Sequence, residues 1–588
     1  MAEPRRGAAL AALAALAGAL ATWSWGKWTD PLIDFGFELY VPWRLIEGEV
    51  LYRDIAYRNG PLSPYWNALL FGVFGVSLRT LVIANLAVLA AITALLFGLL
   101  ERALSRWGAL AGCAVFLATC AFSQYGNVGN YNFVTPYQHG STHGLLLGLA
   151  LVARLARAQR LTHWATAGAL LGALGLTKAE LFVPGLAVAA CAAALELYGG
   201  RSSALPAIAA LAGASLLAPL VAWLALATAL PADAALRGVL GNWPYLVGAG
   251  IFQDPFYARG AGLDAPAHQL AAMLGAAAAL TAAWLALAAS ERWARARPAA
   301  PGWIVPLGLV AGIGLGIAVD APWAQLARVL PLVTGVAIAL FLPASLRGEA
   351  RGRSGLLLAV FALGLLGKLG LHPQIQHYGF ALAAPALALG VAGAVARWHT
   401  APARGIAVGL AAAFASALVA DSHAIYQHKS FELASGRDAI LVASPETSPR
   451  GRVLVRVLRD LEAQLPESAT LLALPEGASL NYWLRRRNST PYSLFLPTEQ
   501  VAQGGAEAML DRMRAAPPDY VALVHRGHRE FGTGPFLDDP RNGGAFRSWL
   551  EREYTPIQLV GAEPFRGPAF GIAIRRRPDG AAAAAAAE

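Results

Sequence analysis

Charge is what this sequence has least of. Of 588 residues only 14% are Asp, Glu, Lys or Arg, while 56% are hydrophobic and the mean hydropathy is +0.49. A soluble chain of this length needs far more charged surface. Cysteine is scarce too: Cys113, Cys120 and Cys191 all sit inside apolar blocks, which excludes a disulfide framework and gives no metal-ligand spacing. Lysine is almost absent, with only Lys27, Lys178, Lys368 and Lys429. The net charge of +10 comes from 46 basic and 36 acidic residues, and the basic ones fall mostly in short segments between apolar runs. That distribution belongs to a membrane rather than a nucleic acid, and no aromatic-basic stripe of the single-strand-binding kind is present.

What is present is a series of apolar blocks of roughly the 20 residues that a hydrocarbon core requires. The first, 8–25, follows Arg5 and Arg6 and could be a signal peptide. The aromatic Trp23, Trp25 and Trp28 with no convincing cleavage site favour an uncleaved helix. Further spans are expected at about 80–100, 108–123, 143–156, 164–177, 179–198, 204–230, 267–290, 303–319, 326–346, 354–371, 379–396 and 404–420, about thirteen in all. The 164–198 pair reads as possible half-crossing helices around Lys178 and Glu180. With the amino terminus inside, Arg-rich segments fall on the inner face at each turn, whereas the first outer loop carries six acids against four bases.

The expected fold class is therefore a polytopic α-helical membrane domain, residues 1–420, followed by a soluble α/β domain at 421–580. An odd span count places that domain outside, in a bacterial periplasm. Thr470–Leu474 and Tyr520–Val524 read as strands, and 451–464 and 543–553 as amphipathic helices. The Ala-rich end, 581–588, reads as a frayed tail. No internal repeat supports an inverted-repeat transporter.

The outer loop, 26–79, is too rich to be a connector. Ile33–Glu47 mixes aromatics and acids as an interfacial helix does, and Asp34 and Glu38, four apart, would share a helix face. Two carboxylates aimed at one spot can act as a general base and its partner; a solvated helix edge is the plain alternative. Lys178 is a costly cation between apolar helices, with Glu180 close enough for a local ion pair. His372 and His377 lie in a loop between spans, and Asp54 is either a second acid or a local backbone cap.

The order of these features is specific. An acid early in the first outer loop is followed by G-E-V-L-Y-R-D (Gly48 to Asp54), N-G-P-L (Asn59 to Leu62), F-G-V (Phe74 to Val76) and Arg79. With G-A-L-G-L-T-K-A-E (Gly172 to Glu180), it resembles the GT-C superfamily of integral membrane glycosyltransferases, within it the family-39-like and Rgt-type proteins. The resemblance covers the first 200 residues well and the remainder only in topology. It implies inverting transfer of a hexosyl or pentosyl group from a polyprenyl-phosphate donor, with Asp34 as general base and Glu38 beside it. It also implies cations for the lipid phosphate, for which Arg58, Lys178, Lys368, His372 and His377 are the candidates, supported by the acids Asp54 and Glu180. The acceptor, a lipid, glycan or protein, is left open.

Departures from the family pattern matter. Gln124–His143, the second outer loop, has no Asp or Glu, which makes a bound divalent metal doubtful. Phe35 follows Asp34, so the Asp-Glu pair of protein O-mannosyltransferases is missing, as is the Trp-Trp-Asp run of oligosaccharyltransferases. L-P-E-G (Leu474 to Gly477) before Asn481, Tyr482 and Trp483 reads as a strand-to-helix junction. The rival readings are a lipid-linked-sugar transporter or glycan polymerase/ligase, and a non-catalytic scaffold displaying its outer domain. The first should carry charges along a midplane path, and the second has no need of the acidic loop.

Overall fold

The computed structural model describes residues 3–126, 128–200, 202–241, 243, 246, 254–298 and 300–578; the expected Ala-rich tail, 581–588, lies outside them. The amino-terminal part is helical throughout: α1 (Arg6–Ser24), α2 (Phe35–Ile46), α3 (Leu62–Phe74), α4 (Leu78–Ala103), α5 (Arg106–Phe116), α6 (His139–Leu155), α7 (Leu161–Gly175) and α8 (Ala179–Tyr198). Longer apolar helices follow at Ala204–Ala227, Pro266–Arg295, Trp323–Leu346, Ala350–Leu369 and Ala401–Tyr426. With α1, α4 and α8, these make eight helices among the described residues that are long and apolar enough to cross a membrane. Every one of the thirteen expected segments is helical, but the others are short, such as Ile304–Ala318 and Ala384–Ala396. Eight of the expected segments thus have full spanning length, and the remainder form shorter apolar helices.

The outward faces confirm the solvent. Leu205, Val310 and Leu340 are 73%, 65% and 72% exposed, on helices that are apolar all round. Such a surface is stable only against lipid, and the chain is a multi-pass membrane protein. Without a hydrophobic drive between helices in lipid, close backbone approach supplies the packing. Helix Ile304–Ala318 lies on Ala401–Tyr426 with Gly312 directly over the Gly409 carbonyl, where a side chain has no room.

Charge distinguishes the two ends of the bundle. At one end Glu101 pairs with Arg6 and Arg106, and Arg353 pairs with Glu196 and donates to the Leu155 carbonyl. At the other end sit the start of α4, the α7–α8 connection and the carboxy-terminal domain. α8, 20 residues long, covers ~30 Å between them. Lys178 thus stands at the end of a full-length helix, and the half-crossing arrangement is not what forms.

The carboxy-terminal part begins with a β1–β2 hairpin (Lys429–Leu433, Ile440–Ala443), directly after helix Ala401–Tyr426. A four-stranded sheet follows in the order β3-β4-β6-β5, with β3 (Leu471–Leu474), β4 (Tyr520–Val524), β5 (Thr555–Gly561) and β6 (Gly571–Arg576). β3 and β4 run parallel and the remaining pairs antiparallel. The expected strands and the helices at Arg450–Gln464 and Gly544–Glu553 are present. Phe495, Met509, Phe546 and Trp549 fill a core on one face of the sheet.

This α/β unit sits on the long loop between α1 and α4. Instead of lying open in the interface, α2 is buried along Phe35, Gly36 and Glu38–Trp43. Gly36 meets Ser479 of helix Ala478–Leu484 so closely that no side chain fits, and the Tyr40 hydroxyl accepts from the Asn488 N–H at 2.8 Å. The aromatic-acidic pattern that reads as a membrane-surface helix is thus a helix buried between membrane bundle and soluble domain.

Candidate active site

The segment before α2 is fixed at almost every polar atom. The Lys429 ammonium donates to the Lys27 carbonyl (2.6 Å) and to Gln124 Oε1 (2.7 Å). Asn132 donates to the Trp28 carbonyl at 3.0 Å, and Asn130 both donates to the Ile33 carbonyl and accepts from the Asp30 N–H, each at 2.6 Å. Asp30 Oδ1 accepts from the N–H groups of Leu32 and Ile33 at 2.9 Å, a local turn of the kind Asp favours. Arg450, from the carboxy-terminal domain, closes on Asp30 Oδ2 at 3.0 Å.

This clamp delivers Asp34 at the mouth of α2 with φ 61° and ψ −66°. A non-glycine residue there is strained, which usually costs on the order of 1–3 kcal/mol and clusters at functional sites. Its N–H donates to Glu476 Oε1 at 2.7 Å. Its carboxylate caps nothing and accepts no hydrogen bond among the described residues. Burial drives the Asp34 carboxyl well above the usual range; Glu476, Asp30 and Glu530 push the same way and Arg526 opposes them. Burial lifts Glu476 as well, against the charge of Arg526, whose Nε is 3.0 Å away.

Glu38 is not Asp34's partner. Asp34 precedes the helix rather than belonging to it, so the expected shared face does not form. Glu38 Oε2 instead accepts from the backbone N–H of His139 at 2.9 Å and meets its ring Nδ1 at 2.5 Å. Asn85, whose amide also donates to the Val134 carbonyl, reaches Nε2 of the same ring at 3.1 Å. With Nε2 accepting from Asn85, Nδ1 is the donor to Glu38. The carboxylate thereby serves the amino-terminal end of α6.

Three tyrosines join Asp34 to the cations. Tyr131, Tyr137 and Tyr378 pack in tilted and edge-on contacts, their ring centroids 5.2–6.1 Å apart. The phenol of each is raised, by burial first and with Asp34 contributing. The Lys178 ammonium donates to the Tyr137 hydroxyl at 2.7 Å and pairs with Glu180 at 2.8 Å. Lys368 pairs with the same Glu180 oxygen at 2.8 Å and lies 4.2 Å over the Tyr378 ring. His377 packs against Tyr131 with ring centroids 4.5 Å apart and, like Asp34, has a positive φ, 54°. Burial, and then Lys368, push its imidazole down to about 3, so it offers a ring N–H and no positive charge.

The α7–α8 connection is held by the N-G-P-L run. The N–H groups of Gly60 and Leu62 donate to the Thr177 and Leu176 carbonyls at 3.0 and 3.1 Å, and Gly60 abuts Leu176 without room for a side chain. The remaining candidates fall elsewhere. Arg58 pairs with Glu499 and ties the loop to the carboxy-terminal domain. Asp54 accepts from the Val50 N–H at 2.8 Å and pairs with Arg53, a local cap. His372 lies off the tyrosine layer against Gly262, lowered by burial and by Arg328.

Two groups escaped sequence reasoning. Glu476 lies in the L-P-E-G run, where a junction was visible but its target was not; Arg526 carried no signal. Tyr131 and Tyr137 stood in a loop conspicuous only for lacking acids. Among the described residues no group of three or more His, Cys, Asp or Glu is placed to hold a metal. The acids nearest Asp34 are engaged by arginines, Glu476 by Arg526 and Asp30 by Arg450, a donor set that does not fit a divalent cation.

No family model matches the sequence, and no curated protein matches it. Solved structures align along nearly all of it. ArnT from Cupriavidus metallidurans bound to undecaprenyl phosphate is 12% identical, with 96% of this chain and 98% of that one covered and a TM-score of 0.45. The Archaeoglobus fulgidus oligosaccharyltransferase tethered to an NVT acceptor peptide is also 12% identical, covering 96% and 74%, with a TM-score of 0.46. The same organism's AglB with an inhibitory peptide and dolichol phosphate is 10% identical over 94% and 73%, at 0.43. These likenesses are long but loose, and the functional argument rests on the site's own residues.

Proposed function

We propose that this protein is an inverting membrane glycosyltransferase of the GT-C kind, moving a hexosyl or pentosyl group from a polyprenyl-phosphate donor to an acceptor hydroxyl. The observation that carries the reading is Asp34: a carboxylate with no hydrogen-bond partner among the described residues, in a strained backbone, whose charge acts on the same tyrosine, Tyr137, that Lys178 and Lys368 attend. A carboxyl raised above its usual range is a stronger base, and base strength matched to the working pH is what proton abstraction rewards.

In this mechanism the Asp34 carboxylate takes the acceptor's hydroxyl proton as that oxygen forms its bond to the anomeric carbon from the face opposite the phosphate. The bond from the anomeric carbon to the phosphate oxygen breaks, and its electron pair leaves with the lipid phosphate. A phosphate leaving group needs positive charge more than a proton, and Lys178 and Lys368 supply it beside Tyr137 and Tyr378. Sugar C–H faces pack against the same aromatic rings. No step is assigned to a metal.

The Arg-rich end opposite the site supports an orientation with that end cytoplasmic and the α/β domain periplasmic, in a bacterial inner membrane. A transporter reading is weaker, because Lys178, Glu180 and Lys368 gather at one end of α8 rather than along a midplane path. The acceptor can be lipid, glycan or protein. Mass analysis of cell-envelope glycans from a deletion strain tests the proposal: a sugar is lost, and returns with the wild-type gene but not with Asp34→Asn. An unchanged envelope in the deletion strain would overturn it.

A further inference from the structure

The carboxy-terminal domain touches residue 34 itself through Glu476. Glu476 leaves the end of β3, 442 positions from Asp34, and its side chain is only 2% exposed. One oxygen accepts the Asp34 N–H at 2.7 Å and the other lies 3.0 Å from Arg526 Nε. Arg526 is itself paired with Glu530 at 2.8 Å. Glu476 and Arg526 occupy successive crossings of one sheet, just beyond β3 and β4, which are hydrogen-bonded neighbours.

We propose that Glu476 is a positioning residue for Asp34: through one oxygen it holds the strained backbone of residue 34, and with Arg526 it sets the charge that stands beside the base. The catalytic half of this inference rests on the function proposed above, while the coupling between the two carboxyls stands apart from it. The carboxy-terminal domain then completes the site instead of merely being displayed by the membrane bundle.

The physical argument has two parts. A left-handed backbone at a non-glycine residue persists only when its surroundings hold it, and Glu476 is what grips the Asp34 N–H. The charges facing Asp34 are Glu476, Arg526, Asp30 and Glu530, with the phenols of Tyr131, Tyr137 and Tyr378 nearby. Asp30 is committed to Arg450 and two backbone N–H groups, and Glu530 to Arg526. Glu476, which alone of these acids bonds residue 34 directly, is the like charge whose loss alters Asp34 most; its loss also releases Arg526 to act on Asp34, which adds in the same direction.

Two variants separate the two roles. In Glu476→Gln the amide oxygen still accepts the Asp34 N–H but the charge is gone; in Glu476→Ala both are lost. Dicyclohexylcarbodiimide modifies protonated carboxyls shielded from water, so its pH-dependent labelling of Asp34, read by peptide mass spectrometry on the full-length protein, reports that group without any transfer assay. The pH at which Asp34 labelling is lost should fall by about 1–3 units in Glu476→Gln. Transfer from a panel of undecaprenyl-phosphate sugars should show a reduced maximal kcat in Glu476→Gln, where the base is weaker, with the acid limb moved down. In Glu476→Ala kcat should fall with little change in KM. An unmoved labelling midpoint in Glu476→Gln would overturn the proposal, and that variant carries the test if Glu476→Ala does not fold. A moved midpoint in a protein that transfers no sugar would sink the glycosyltransferase reading and leave the coupling standing.

Discussion

Lys178 and Lys368, 190 positions apart, place their ammonium groups at 2.8 Å from the same oxygen of Glu180. A single half-buried carboxylate shared by two cations leaves a net positive charge beside Tyr137 and Tyr378, where a phosphate can complete the balance. Removing either lysine alone, as Lys178→Met or Lys368→Met, should raise the donor KM about 10–100-fold, the value of one charge-assisted hydrogen bond. Removing both strands Glu180 in a dry setting and should destabilise the fold by about 3–5 kcal/mol. Steady-state kinetics in proteoliposomes and thermal unfolding in detergent check the two effects separately.

Glu38 and Asp34 should behave oppositely on amide substitution. Glu38→Gln keeps an oxygen for the His139 N–H groups and should keep activity within a few-fold, whereas Glu38→Ala should lose about 1–3 kcal/mol of stability by leaving buried donors unpaired. If Glu38→Gln is as inactive as Asp34→Asn, Glu38 takes part in the chemistry after all.

Asp30 sets the position of the base without touching it. Asp30→Asn retains the acceptor for the Leu32 and Ile33 N–H groups and loses only the charge that meets Arg450. Asp30→Ala loses the turn itself. A displaced base costs on the order of 10²-fold, so kcat should fall steeply in the alanine variant and modestly in the asparagine one.

The raised carboxyl of Asp34 has a signature in pH. Transfer requires the carboxylate, so activity should fall on the acid side at a pH above the usual Asp value of about 4. Stability runs the other way. With the folded pKa above the unfolded one, the native state binds the extra proton, and stability present below the unfolded pKa is lost as pH rises through the folded pKa. Asp34→Asn should therefore unfold at a higher temperature than wild type at neutral pH, with the gap closing in acid. A constant gap across pH would mean that Asp34 is not raised.

Much of this was legible in the sequence, and the failures have physical causes. Apolar block length located every long apolar helix, because lipid demands it, but could not count crossings where helices such as Ile304–Ala318 are short. Asp34, Lys178 and Lys368 stood out because charge is rare among such blocks. The shared face of Asp34 and Glu38 does not form because a spacing of four implies one only inside a helix, and Asp34 sits outside it with a positive φ. Glu476 could not be assigned at all: its contact spans 442 positions and depends on how the sheet is set against the first loop.

The most direct test is transfer by purified Asp34→Asn protein in proteoliposomes loaded with undecaprenyl-phosphate sugars and envelope-lipid acceptors. The substitution preserves size and removes only the base. Correctly folded protein that binds donor as wild type does but transfers no sugar above background is the predicted result. Transfer at the wild-type rate would contradict the account.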